Sequence, residues 1–181
     1  KYNTTISEAD FYSNTDETLK CLVVDSLTDA IFRFSERLYS AEHQLSAPTD
    51  VTIAAVSRLA SNHELHLVTG RQYALERATI MMINRYFSNV FTTIEHTNYI
   101  TDDIDAVKRT KGEVCRSIDA DVMIDDLVAH LDDVISSGTP HAILFGDFEW
   151  GRRNSMPSNT VQCKDWTAVE REIARIADND E

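Results

Sequence analysis

From residue 50 onward the chain alternates between two spacings of apolar residues. Val51, Ala54, Ala55, Val56 and Leu59 follow the three-to-four-residue period of one helical face, with Asp50 as the expected N-cap. His66-Leu67-Val68-Thr69 is then a short apolar run stopped by Gly70, which predicts a strand. The helical period returns over 73–86 through Leu75, Ala78, Ile80, Met82, Ile83 and Tyr86, and the β-branched run Val90–Ile94 predicts a second strand. A helix over about 110–119, a strand Val122–Ile124 ending on Asp125-Asp126, a helix over about 127–136 and a strand Ala142–Phe145 ending on Gly146-Asp147 continue the pattern. The last helix follows Asp165, after a Pro- and Ser-containing stretch, 151–164, that reads as a surface loop.

Strands that alternate with helices in this way require crossover connections and therefore a parallel sheet with helices on both faces. The fold class expected is α/β, Rossmann-like. In such sheets ligands sit beyond the carboxyl ends of the strands, where this chain carries Thr69-Gly70-Arg71, Asp125-Asp126 and Gly146-Asp147. Residues 1–49 differ. Leu22-Val23-Val24 has strand character, and Ser26-Leu27-Thr28-Asp29 has capping-box spacing before a helix bearing Ala30, Ile31, Phe34, Leu38 and Tyr39. The division expected is a small helical segment over 1–49 and an α/β core over 50–181.

Composition narrows the function classes. The chain has 181 residues, enough to bury about two thirds of the surface of its unfolded form without a metal or disulfide staple. Its formal net charge of −13 repels phosphate backbones and anionic lipid alike, so neither nucleic acid nor membrane is an expected partner. Cys21, Cys115 and Cys163 are an odd number without close spacing, which argues against a disulfide framework or a zinc site and for a reducing intracellular compartment, cytoplasmic or nuclear. The start KYNTTISEAD lacks the basic and apolar regions of a signal peptide.

The candidate chemistry lies at the strand ends. Asp125 and Asp126 follow three apolar residues, and burying two adjacent carboxylates is costly unless a cation or hydrogen bonds compensate; Mg²⁺ is one such cation, while helix capping by Asp126 is the alternative. Thr69 offers a hydroxyl beside Gly70, a pairing suited to a phosphate or carboxylate oxygen, or simply to a turn. Lys111 opens a helix and opposes its dipole, which implies a nearby negative group, unless it is one more solvated cation beside Lys108 and Arg109.

Taken in order, LVTGR at 67–71, KGEVC at 111–115, VMIDD at 122–126 and LFGDFEWGRR at 144–153 resemble the second, third and fourth motifs, and a following loop, of the haloacid dehalogenase (HAD) superfamily of phosphohydrolases, in its nucleotidase-like branch. The resemblance covers about half of the chain. It implies that Thr69 binds the transferred phosphoryl group, Lys111 neutralises it, Asp125 and Asp126 hold Mg²⁺, and Gly70, Arg71 and Asp147 contribute to the substrate side of the site. It also implies a small phosphate ester, such as a nucleotide, as ligand.

The family's first motif is a strand ending Asp-x-Asp, nucleophile and then acid/base, and no predicted strand of this chain ends that way. Two registers compete. In one, Asp25 after Leu22-Val23-Val24 is the nucleophile and Leu27 replaces the second acid, although leucine cannot carry a proton. In the other, residues 2–42 resemble the small cap that fungal members insert after the first motif, which places that motif upstream of Lys1. Either way the strand expected between those of Thr69 and Asp125 is lost or replaced. The gap would be filled by Leu19–Val24, by a preceding segment or by another chain. The functions expected are a HAD-type phosphatase with little or no turnover as the chain stands, or a non-catalytic binding module on the same fold.

Overall fold

The computed structural model describes residues 47–71, 73, 76–98, 107–148 and 155–179. The appendage expected over 1–49, including the strand Leu19–Val24, Asp25 and the capping box at 26–29, lies outside the described residues but for its last three positions. So do Trp150 and the arginines after it.

The described chain is α/β. In order it runs α1 (Asp50–Ala60), β1 (His66–Thr69), α2 (Glu76–Tyr86), β2 (Thr93–His96), α3 (Lys111–Ser117), β3 (Val122–Asp125), α4 (Val128–Ser136), β4 (His141–Phe145), β5 (Thr160–Cys163) and α5 (Trp166–Asn179). Every strand pairing is parallel: β1 with β2, β3 with β4 and β4 with β5. The strands form two sheets among the described residues, β1-β2 and β3-β4-β5, where the alternation alone predicts one.

Helices cover both faces of the three-stranded sheet. Alternate residues of β4 point opposite ways: Ile143 packs with Leu59 of α1 and Val169 of α5, while Ala142 and Leu144 pack with Val128 and Leu131 of α4. Val56 of α1 and Ile83 and Phe87 of α2 make the core beside the two-stranded sheet, with Leu67 and Ile94 against them. Trp166 belongs to both cores. Its ring lies 4.9 Å from that of Phe145, centre to centre, and its indole N–H donates to the Thr52 hydroxyl at 3.1 Å.

Four details differ from the sequence expectations. Thr49, not Asp50, caps α1: its hydroxyl accepts from Thr52 N–H at 3.2 Å, and Asp50 sits in the first turn, where a carboxylate complements the dipole. The second strand begins at Thr93 rather than Val90. Phe87–Val90 form a turn with Asn89 at φ 58°, and Val90 and Phe91 spend their apolar surface in the core of α1 and α2. The stretch 151–164 contains β5, whose outward residues Val161 and Gln162 are exposed as suits a sheet edge, hence its weak apolar signal. Finally α4 is not capped by Asp126; its N-cap is Leu127, whose N–H is satisfied by Asp125 Oδ1 at 3.0 Å.

Candidate functional site

Asp125 is the last residue of β3 and its carboxylate is almost fully buried. Three groups converge on it. Oδ2 accepts from Lys111 Nζ, and Oδ1 pairs with His130 Nδ1 at 3.0 Å as well as with Leu127 N–H. Burial by itself would push this carboxyl up, but the His130 hydrogen bond and the Lys111 ammonium outweigh it and hold the group well below the usual carboxylate range.

Local sequence explains why Lys111 is there. Thr110 and Glu113 form a reciprocal capping box: Glu113 N–H donates to the Thr110 hydroxyl at 3.1 Å, and Thr110 N–H donates to the Glu113 carboxylate at 2.8 Å. The box fixes the start of α3 so that Lys111, its first residue, reaches the end of β3. Gly112 then lets α3 lie against α4. Its N–H donates to Asp133 at 2.7 Å, and a Cβ there would fall 2.6 Å from the Asp133 carbonyl oxygen. An unfavourable helix-dipole position is thus offset by a buried counter-charge.

Thr69 ends β1 as Asp125 ends β3. Its hydroxyl accepts from Arg71 N–H at 3.3 Å, and its carbonyl from Thr97 N–H at 2.9 Å. An added Cβ at Gly70 would meet nothing within 4 Å, so open space lies beside this strand end. Arg71 is exposed and donates to the Thr79 hydroxyl at 3.3 Å. Asp126 and Asp147 are both exposed, and Asp147 follows Gly146, whose φ of 83° turns the chain out of β4. The structure thus joins Lys111 to Asp125 directly and sets Thr69, Asp126 and Asp147 at separate strand ends.

Two groups escaped the sequence reading. His130 lies five residues after Asp125, where the first turn of α4 returns it to the strand end; a polar residue in DDLVAH at a position facing the strand was the available signal. His96 ends β2, opposite Thr69 in register, with its ring buried and Nε2 without a hydrogen-bond partner. Burial lowers its pKa, with Arg71 adding to the effect against the opposing pull of Glu76 and Glu95. Beside it Arg109 pairs with Glu95 at 2.6 Å.

Asp125 and Asp126 are the donors the site offers to a cation, and as hard oxygen ligands they match Mg²⁺ chemically. In this arrangement the charge of Asp125 is met by Lys111 and His130. Among the described residues no group of three or more His, Cys, Asp or Glu side chains is placed to hold a metal ion. Nor is any described helix long and apolar enough to cross a membrane.

No protein-family model matches the chain, and no curated protein matches it as a relative.

Proposed function

We propose that the chain is a HAD-like protein that binds a small phosphate ester, of the nucleotide class, without turning it over. The observation that carries this reading is the buried Lys111–Asp125 pair at the carboxyl end of a parallel strand. An ammonium fixed by a capped helix start is a preorganised counter-charge for a phosphate. Thr69 and the open space beside Gly70 supply a hydroxyl and room for a phosphoryl oxygen. Asp125 and Asp126 would hold Mg²⁺, which when bound supplies further neutralisation of the phosphate charge.

Binding is favoured over hydrolysis because none of the described strands ends in Asp-x-Asp. A site without that aspartate nucleophile has no covalent route, and one without the second acid loses a proton-transfer contribution of about 10² to 10⁴ in rate. The test is calorimetric titration with nucleoside monophosphates in Mg²⁺, alongside a hydrolysis assay on the same panel and an aryl phosphate. Expected are saturable binding, weakened at least about tenfold in Lys111→Ala, and no turnover. Turnover abolished by Asp25→Asn would overturn the non-catalytic reading and make Asp25 the nucleophile; absence of binding to any phosphate ester would overturn the ligand class.

A further inference from the structure

Between the two sheets lies a cavity of about 490 Å³. Its walls are the facing edges of β1 and β3: the lining includes 63–68 on one side and 118–124 on the other, and on each side it stops one residue short of the strand's last residue, Thr69 or Asp125. The carboxyl ends of the two strands are linked: the Thr69 carbonyl accepts from Thr97 N–H and the Thr97 carbonyl from Arg109 N–H, each at 2.9 Å, and Lys111, two residues on, pairs with Asp125. The strands therefore run the same way along the slot, amino ends together. Their backbone has the matching polarity. Leu65 and Thr69 carbonyls accept from the β2 segment and the Asp121 carbonyl accepts from His141 at the start of β4, so in each strand the odd-numbered residues bond inside their own sheet. By alternation, His66 and Val68 of β1, and Val122 and Ile124 of β3, turn their N–H and C=O groups into the slot.

The side chains around the slot suit a strand covered on both faces. Leu59, Trp166 and Ile173 close it from the side of α1 and α5, with Cys115 of α3 and Ile118 just after that helix. Leu67, Val68, Met123 and Ile124 are only half-buried, although parallel strands are ordinarily buried on both faces. At the amino end the mouth carries Glu64, Asp119 and Asp121, all exposed.

We infer that this slot takes one extended strand of a second polypeptide, apolar across the length of the four-residue walls and basic at the end that emerges between Glu64, Asp119 and Asp121. Apolar walls on both faces ask for a continuous apolar run, the two edges offer main-chain hydrogen bonds on both sides, and the acidic mouth selects Lys or Arg over Asp or Glu. Parallel addition puts the basic residues at the peptide's amino-terminal end. The inference stands apart from the phosphate reading, since neither Lys111 nor Asp125 lines the slot.

The experiment is fluorescence anisotropy of the full chain with two labelled peptides that share a Val-Leu-Val-Ile run, one preceded by two lysines and one by two glutamates. The lysine peptide is expected to bind and the glutamate peptide to bind at least about tenfold more weakly. Asp119→Lys/Asp121→Lys, at exposed positions that leave the core intact, reverses that preference. Ile124→Lys, checked for folding by circular dichroism, abolishes binding of both. Failure of the lysine peptide to bind, affinity indifferent to the charge at the mouth, a dimer formed by the chain without peptide, or tighter peptide binding in Val23→Lys, which would give the slot to Leu19–Val24 of the chain itself, would overturn the inference.

Discussion

Lys111 and Asp125 form an interaction that sequence spacing can suggest but only burial makes strong. With the carboxylate buried and the lysine partly so, the pair gains little over an apolar pair of equal volume, yet losing Lys111 leaves Asp125 without its cationic partner. Lys111→Met is therefore expected to destabilise the fold by about 3 kcal/mol in urea unfolding, and Lys111→Met with Asp125→Leu to recover most of that loss. The carboxyl of Asp125 titrates below its ordinary 3.8 in the folded chain, so the unfolded chain takes up its proton first as pH falls. The stability it provides is present above that ordinary value and lost in the acid range below it. His96 gives a second pH effect in a higher window. Its folded pKa lies below 6.5, so the unfolded chain again binds the proton first and stability falls as pH drops through about 6.5. Unfolding free energies measured from pH 7.5 to 5 should show a shallower slope in His96→Leu than in the wild type, whatever the other histidines add to both.

At the scale of elements, Gly112 shows how much a contact between helices can hang on one hydrogen atom. α3 lies so close to α4 that any side chain at Gly112 meets Ser137 and the Asp133 carbonyl oxygen. Gly112→Ala would normally gain helix propensity, but here overpacking is expected to cost about 1–3 kcal/mol and to loosen the hold of Lys111 on Asp125, which thermal unfolding would register. The same pair of helices shows what periodicity could reveal. Among the described residues the strands β1, β3 and β4 and the helices α1 to α5 are legible, because each carries its own apolar face. β2 was misplaced by three residues because its strongest apolar residues, Val90 and Phe91, serve a turn packed on the core. β5 was missed because an edge strand exposes half of its residues. The capping box Thr110–Glu113 is equally legible in the sequence, and it positions Lys111. His130 offers only its spacing in DDLVAH as a signal, and His96 needs the fold itself, since strand register is not visible along the chain.

At the scale of the molecule, the described strands form two parallel sheets with a slot where their edges face each other, and helices bridge the interruption. Trp166 contacts both cores, and Arg58 of α1 pairs with Glu170 of α5 at 2.7 and 3.0 Å, although that pair is too exposed to add much. Such an arrangement leaves an imprint on amide exchange that a continuous sheet does not. Within β1 the amide of Leu67 faces β2, while those of His66 and Val68 face the slot; within β3 the amide of Met123 faces β4, while those of Val122 and Ile124 face the slot. Global unfolding exposes neighbours together and cannot separate them, whereas local opening and water entering the slot can. Hydrogen exchange followed by NMR should show Leu67 and Met123 protected at least about tenfold more than their immediate neighbours, a sawtooth that repeats in β1 and β3 and is absent from the central strand β4. Adding the lysine peptide should raise protection at His66, Val68, Val122 and Ile124 and leave Leu67 and Met123 unchanged. Uniform protection along β1 and β3 in the chain alone would mean that the slot is already closed and that the two sheets behave as one.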